Sequence, residues 1–417
     1  MKLDLANGAC FPAGEWGTWS LCVKFRQGGE LLRISAADGS ELLTCVFAED
    51  ALTVTLHYDA NAAPLTLRSA RVAGGGFALS ATPARVALLA GGKVLDEEWV
   101  LGKIPFGGSS CRGSASAVWE DRAMPDPPFV PETFTDLSHW KPNGENTNVG
   151  DCMPFADGDL YRLYYLFDRR HHRSKWGLGA HQWAQVSSRD LVHWVTHPMA
   201  VGIDEPWEGS ICTGSHIKNG DTYYAFYAVR MSDRTPARLT WATSRDGEHF
   251  QKSGKYLSLG APYESVSARD PKVFQTEDGR FHMLVTTSIA KDNVGALAHL
   301  VSDDLEHWEQ LDPFIRLEIP DQPECSDHIR FGDHYYLIYS NFGQAHWFRS
   351  KDPLGPWEAP EDNLVAAEEV IVPKGAVVMG RLIFTGFTRE GKAYGGNFIQ
   401  YEAIPDAAGD LTFRKMD

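Results

Sequence analysis

No run in this 417-residue chain approaches the roughly 18 apolar residues that a membrane span needs. Nor does the start, Met1-Lys2-Leu3-Asp4-Leu5-Ala6-Asn7, carry the apolar core and cleavage pattern of an export signal. The chain therefore reads as soluble and cytoplasmic. Basic residues are outnumbered by acidic ones, 39 against 55, for a formal net charge of −16. Nucleic acids and anionic membranes would repel such a surface, so neither is expected as a partner. The seven cysteines (10, 22, 45, 111, 152, 212, 325) are odd in number and scattered, without a Cys-x-x-Cys pair. They read as free thiols in a reducing compartment rather than a disulfide framework. No cluster has metal-ligand spacing. The adjacent His171 and His172 are a poor pair of ligands, because neighbouring side chains on an extended segment point apart. No metal or cofactor is expected.

Helical stripes are also missing from Trp16 to about Leu101. What stands there is short apolar stretches between Gly, Asp and Asn turns, such as residues 19–25, 42–47, 52–57 and 86–89. That is strand grammar, and a β-sandwich is the natural way to bury it. Prolines at 125, 127, 128 and 131 then remove ladder donors and stiffen the chain. The reading is an accessory β-sandwich domain over 1–123, a Pro-rich linker over 124–135 and a second domain over 136–417.

The second domain is periodic. An Asp, then His and an aromatic, recur 48 to 58 residues apart: Asp136…His139-Trp140, Asp190…His193-Trp194, Asp246…His249-Phe250 and Asp304…His307-Trp308. Asp352…Trp357 is a degraded fifth copy. Between them run Gly turns at Gly158, Gly220, Gly279, Gly332 and Gly380, each followed by an aromatic-rich strand. All-strand repeats of this length predict a five-bladed β-propeller, so the fold class is all-β. The copy at 136–140 precedes blade one and is predicted to complete the last blade and close the ring. The repeated His-Trp pairs read as blade packing, not chemistry.

In a propeller the first strand of every blade lines the central channel. Counting back seven to nine residues from each Gly turn gives Asp151, Cys212, Asp270, Glu324 and the apolar Ile371–Pro373. Three carboxylates at one phase of three blades is the sharpest signal in the chain. Its competitor is three solvated turn residues, but Asp270-Pro271 and Pro323-Glu324-Cys325 sit in apolar context. Clustered acids push their pKa values apart, so that one stays protonated while another is ionised. Glycosidic cleavage needs that division. Cys212 has no His/Asp arrangement near it that would make it a thiol nucleophile.

At these residues the chain resembles glycoside hydrolase family 32 and its clan relatives, five-bladed propeller enzymes acting on fructofuranosides. Arg269-Asp270-Pro271 resembles the family's Arg-Asp-Pro signature and Glu324-Cys325 its Glu-Cys signature. Trp183 to Trp194 and Thr213-Gly214-Ser215 also fit. The resemblance covers roughly residues 136–390. It implies Asp151 as nucleophile, Glu324 as acid/base and Asp270 as transition-state stabiliser. It also implies retention of configuration, with the Asp151 and Glu324 carboxyls about 5–5.5 Å apart. The alternatives are an inverting arabinofuranosidase-like propeller and a non-catalytic glycan-binding ring. Three departures imply a divergent branch with a changed sugar or linkage. Only Asp151 survives from the family's Asn-Asp-Pro-Asn-Gly segment, Leu166 replaces the usual strand-two Gln, and the β-rich region precedes the propeller rather than following it.

Propeller topology places the loop Asp168-Arg169-Arg170-His171-His172 on the funnel rim beside Asp151. There it is either a solvated basic loop or a contact for hydroxyl, carboxylate or phosphate oxygens. Trp176 and Trp183 are candidates to stack on a sugar, Trp183 equally a core residue. Arg269, Thr213, Arg230, Asn341 and, more weakly, Gln344 complete the binding candidates. The expected partner is an oligosaccharide or small glycoside, and a homo-oligomer is left open.

Overall fold

The computed structural model describes residues 1–58, 64–72, 75–100, 102–175, 178–231, 233, 235–319, 321–366 and 369–416. Trp176 lies outside the described residues. The protein is all-β: an N-terminal β-sandwich followed by a five-bladed propeller. No helix among the described residues is long and apolar enough to cross a membrane. All seven cysteines are unpaired.

The sandwich consists of two six-stranded sheets built from strands between Lys2 and Glu120. Alternating residues of both sheets meet in one core; Leu21, Val23, Leu79 and Val86 from one face Leu32, Ile34, Leu43 and Val54 from the other. An outer strand of the first sheet, Lys93–Trp99, carries three successive acids, Asp96, Glu97 and Glu98, and all three are buried.

The propeller's inner strands are Thr147–Asp157, Glu208–Asn219, Arg269–Gln275, Glu324–Phe331 and Ile371–Val378. Each turns at its glycine into the second strand of its blade. Those glycines have φ between 57° and 88°, a region that costs any residue with a Cβ. The inner strands pack side by side in sequence, and the fifth returns to the first.

Ring closure differs from the sequence expectation. Blade five is completed by the chain's own C-terminal strand, Leu411–Lys415. The N-terminal segment instead adds Thr133–Phe134 to the outer edge of blade one, opposite Trp194 and Val195. The 136–140 phrase sits at the seam, where Trp140 stacks on Phe398 of blade five with centroids 5.9 Å apart.

The phrase aromatics do pack between blades. Phe250 meets Tyr164 of blade one, and Trp308 meets Phe226 of blade two. The phrase histidines do not pack. They are exposed, and each imidazole Nδ1 bonds the Asp three residues earlier at 2.7–2.9 Å. The same Asp accepts backbone N–H groups, as Asp304 does from Glu306 and His307. The motif is thus an Asp-locked turn that delivers the aromatic to the blade interface.

Candidate active site

Every inner strand carries a β-bulge near its start. Pairing with the second strand skips from Val149 to Cys152, Ile211 to Gly214, Arg269 to Lys272, Glu324 to Asp327 and Ile371 to Lys374. Two residues thus face one in each blade, and the extra residue re-aims side chains into the channel. Asp270, Cys325 and Val372, the first unpaired residue in blades three to five, have φ of 55°, 50° and 40°. Left-handed backbone at such residues is held only where its surroundings over-determine it, which is typical of functional sites.

The bulges correct the equal-phase expectation. Glu324 is the last paired residue before its bulge, Asp270 the first residue inside one, and Asp151 the second. The three acids are staggered by one residue each. A count from the Gly turns could not see this, because the bulges and strand lengths are invisible at that level. They meet nonetheless, in one cavity of about 830 Å³. All five blades line it.

Asp151 is the acid with the most hydroxyl contacts. Tyr394 Oη donates to Oδ1 at 2.7 Å and Thr213 Oγ1 to Oδ2 at 2.6 Å, while Cys325 Sγ lies 3.3 Å from Oδ2. Asp270 is almost fully buried and accepts the Cys325 backbone N–H at 2.9 Å. Burial raises its pKa, and the Asp151 charge adds to this against the pull of Arg269. Burial likewise raises Glu324, again opposed by Arg269 and reinforced by Asp270 and Asp151. Arg269 is the ion-pair partner of both, 3.0 Å from Glu324 and 3.7 Å from Asp270. Burial pushes the Cys212 thiol up to about 12, a setting without thiolate character.

Among the sequence candidates, Arg269, Thr213, Arg230 and His172 line this cavity with the three acids. His172 is held low, at about 4, chiefly by burial and then by the His181 charge, so it is neutral near pH 7. The other candidates sit elsewhere. Arg169 pairs with Glu97 at 3.0 Å and Arg170 with Asp96 at 2.6 Å, both on the acidic strand of the sandwich. Their side chains leave the funnel because buried carboxylates claim them. Asp168 is fully buried, accepts the His171 and His172 N–H groups and bonds His181 Nε2 at 3.0 Å. His171 Nδ1 bonds the Tyr394 carbonyl at 2.7 Å. Trp183 is core, with Nε1 donating to the Cys212 carbonyl at 2.8 Å. Asn341 ends its strand beside the lining residues Phe342 and Gly343 but is not itself in the lining, and Gln344 begins the next strand.

Sequence reasoning missed Tyr394, His181 and Arg389. Tyr394 and Arg389 stand between the second and third strands of blade five. The apolar inner strand of that blade, Ile371–Pro373 at its start, offers no polar residue to mark its rim. A usable signal was Gly150. A Cβ there would fall 2.5 Å from Tyr394 Oη, so the glycine makes the room that the hydroxyl occupies.

The chain matches the family model of the glycosyl hydrolases family 32 N-terminal domain over residues 139–361. It is 26% identical over 254 residues to a sucrose-6-phosphate hydrolase of Zymomonas mobilis, covering 54% of this chain and 48% of that protein. It is 30% identical over 141 residues to a sucrose-6-phosphate hydrolase of Bacillus subtilis, covering 33% and 29%. The chain spans about half the length, or less, of these curated relatives. Among solved structures, the sucrose-6-phosphate hydrolase from Lactobacillus gasseri superposes with a TM-score of 0.53 at 17% identity, over 64% of this chain and 61% of that one. Fructan 1-exohydrolase IIa from Cichorium intybus gives 0.53 at 15%, over 67% and 59%. Identities this low carry the fold alone. The family model, however, spans more than half of the sequence, and the chain belongs to glycosyl hydrolase family 32.

Proposed function

We propose that the protein is a retaining furanosidase that cleaves β-fructofuranosidic or related linkages, with Asp151 as nucleophile, Glu324 as acid/base and Asp270 as stabiliser of the sugar. The observation that carries this reading is the gathering of three acids in one cavity, two of them raised by burial and sharing Arg269. Glu324, kept protonated, delivers its proton to the leaving oxygen while an Asp151 oxygen attacks the anomeric carbon. The product of that step is a glycosyl ester on Asp151. The Glu324 carboxylate then takes a proton from water, water attacks the anomeric carbon, and the ester bond breaks to restore Asp151. The hydroxyls of Tyr394 and Thr213 fix the direction in which Asp151 presents its oxygens. Proton NMR of the first-formed anomer, on a panel of sucrose, inulin, levan, difructose anhydrides and arabinofuranosides, is the test. Retention is expected. Inversion favours an arabinofuranosidase-like reading with Asp151 as base, and no release from any substrate favours a glycan-binding ring.

One observation favours a phosphorylated substrate. Arg230 and Arg389 line the same cavity with no carboxylate at ion-pair distance among the described residues. Two unclaimed guanidiniums suit a dianionic oxygen group. The Zymomonas mobilis and Bacillus subtilis relatives are named for a phosphorylated sugar, while others are named for fructan or raffinose. Comparing kcat/KM for sucrose and its 6-phosphate decides the point.

A further inference from the structure

The acidic strand of the sandwich reaches the cavity wall through one loop. Glu98 contacts two residues of that loop, five apart in sequence: it pairs with Arg170, and its Oε1 accepts the backbone N–H of Lys175 at 3.2 Å. Asp96 and Glu97 add pairs to Arg170 and Arg169 at 2.6 and 3.0 Å. All three acids are buried. The loop they hold has an improbable backbone, with Arg170, His171, His172 and Lys175 at φ of 57°, 54°, 65° and 44°. Left-handed conformation is unfavourable for every residue with a Cβ, so four in six positions need outside support. Within the loop, Asp168 accepts the His172 N–H at 2.8 Å. The His172 ring lies against those of His181 and Tyr394, at 4.9 and 5.4 Å. Its Nδ1 is buried and has no hydrogen-bond partner among the described residues, while the residue itself lines the cavity.

We propose that Glu98 of the N-terminal sandwich is a positioning residue for the sugar site, stapling the loop of residues 168–175 so that His172 stands in the cavity wall. The sandwich is then part of the active unit rather than an appended module. This rests on the furanosidase reading only for its kinetic consequence; the staple itself is independent of it.

The test uses Glu98→Ala, and Glu98→Gln, which keeps size and an acceptor oxygen, each alone and combined with His172→Ala in the full chain. Glu98→Ala is expected to raise KM about tenfold, the scale of a small misplacement of a contact group, with kcat changed less. Glu98→Gln is expected to restore part of that loss. In the His172→Ala background the Glu98 substitution should add almost nothing, because both act through one group. Fully additive losses, or an unchanged KM, would overturn the proposal. Hydrogen exchange gives an arm that needs no substrate. Amides of 168–175 should exchange faster in Glu98→Gln while those of the inner strand Glu208–Asn219 stay protected. Equal exchange in variant and wild type overturns the staple. Faster exchange in a protein that cleaves no furanoside supports the staple and faults the furanosidase reading alone.

Discussion

Tyr394, from the rim of blade five, donates a 2.7 Å hydrogen bond to Oδ1 of Asp151 on the inner strand of blade one. The two residues are 243 apart in sequence and meet only because the ring closes between those blades. Tyr394→Phe keeps the ring and removes the donor. A hydrogen bond to a charged group contributes about 1.5–3 kcal/mol, so kcat/KM should fall roughly ten- to hundredfold. Most of the loss should be in kcat. Gly150→Ala should act in the same direction, by displacing the hydroxyl. Steady-state kinetics on the best substrate checks both.

The pH profile should carry the signature of Glu324. Burial raises its folded pKa, so the protonated acid persists above its ordinary range, and activity falls as pH rises through that raised value. Arg269 opposes the shift. Arg269→Met should therefore move the alkaline limb of kcat/KM to higher pH while lowering the plateau. A limb that stays in place, or moves down, contradicts the assignment of Glu324 as the acid.

Turn-locking and chemistry should separate cleanly. Asp304 holds its turn through two backbone N–H groups and His307, and none of these residues lines the cavity. Asp304→Ala should cost about 0.5–2 kcal/mol, by analogy with a lost cap, and leave kcat/KM unchanged. Thermal unfolding beside a rate assay is the check.

Acid should loosen the contact between sandwich and propeller. Burial by itself would raise Glu97, but Arg85 and Arg169 outweigh it and bring it down to about 2. A depressed carboxylate contributes stability that is complete above its unfolded pKa of about 4.5 and lost as pH falls toward 2. For Glu97 this amounts to about 3 kcal/mol. Glu97→Gln should be less stable than wild type at pH 7, and the gap should narrow below pH 4.5. Unfolding midpoints measured across that range test the sign.

The ring was legible because its markers are local. Gly158 to Gly380 need positive φ and the Asp-x-x-His turns need fixed residues, so both leave a periodic trace. Asp151, Asp270 and Glu324 were reachable from that trace, though their stagger was not, because a bulge changes pairing without changing composition. The true setting of Arg169 and Arg170 is illegible in the sequence for a different reason. Their partners, Asp96 to Glu98, belong to the other half of the chain, and only three adjacent acids in a strand hinted at a buried cationic partner. Tyr394 left no periodic trace, since a single tyrosine in an unrepeated loop has no period; the glycine at 150 that makes room for its hydroxyl is its one mark in the sequence.

The claim that Asp151 is the nucleophile is open to direct capture. Glu324→Gln, with its proton donor removed, should still be glycosylated by an activated furanoside whose leaving group needs no acid, and should then turn over slowly. Intact-protein and peptide mass spectrometry of that variant is the decisive measurement. One glycosyl adduct is expected on the peptide containing Asp151, absent when Asp151→Asn is added. An adduct on another residue, or one that survives Asp151→Asn, would contradict it.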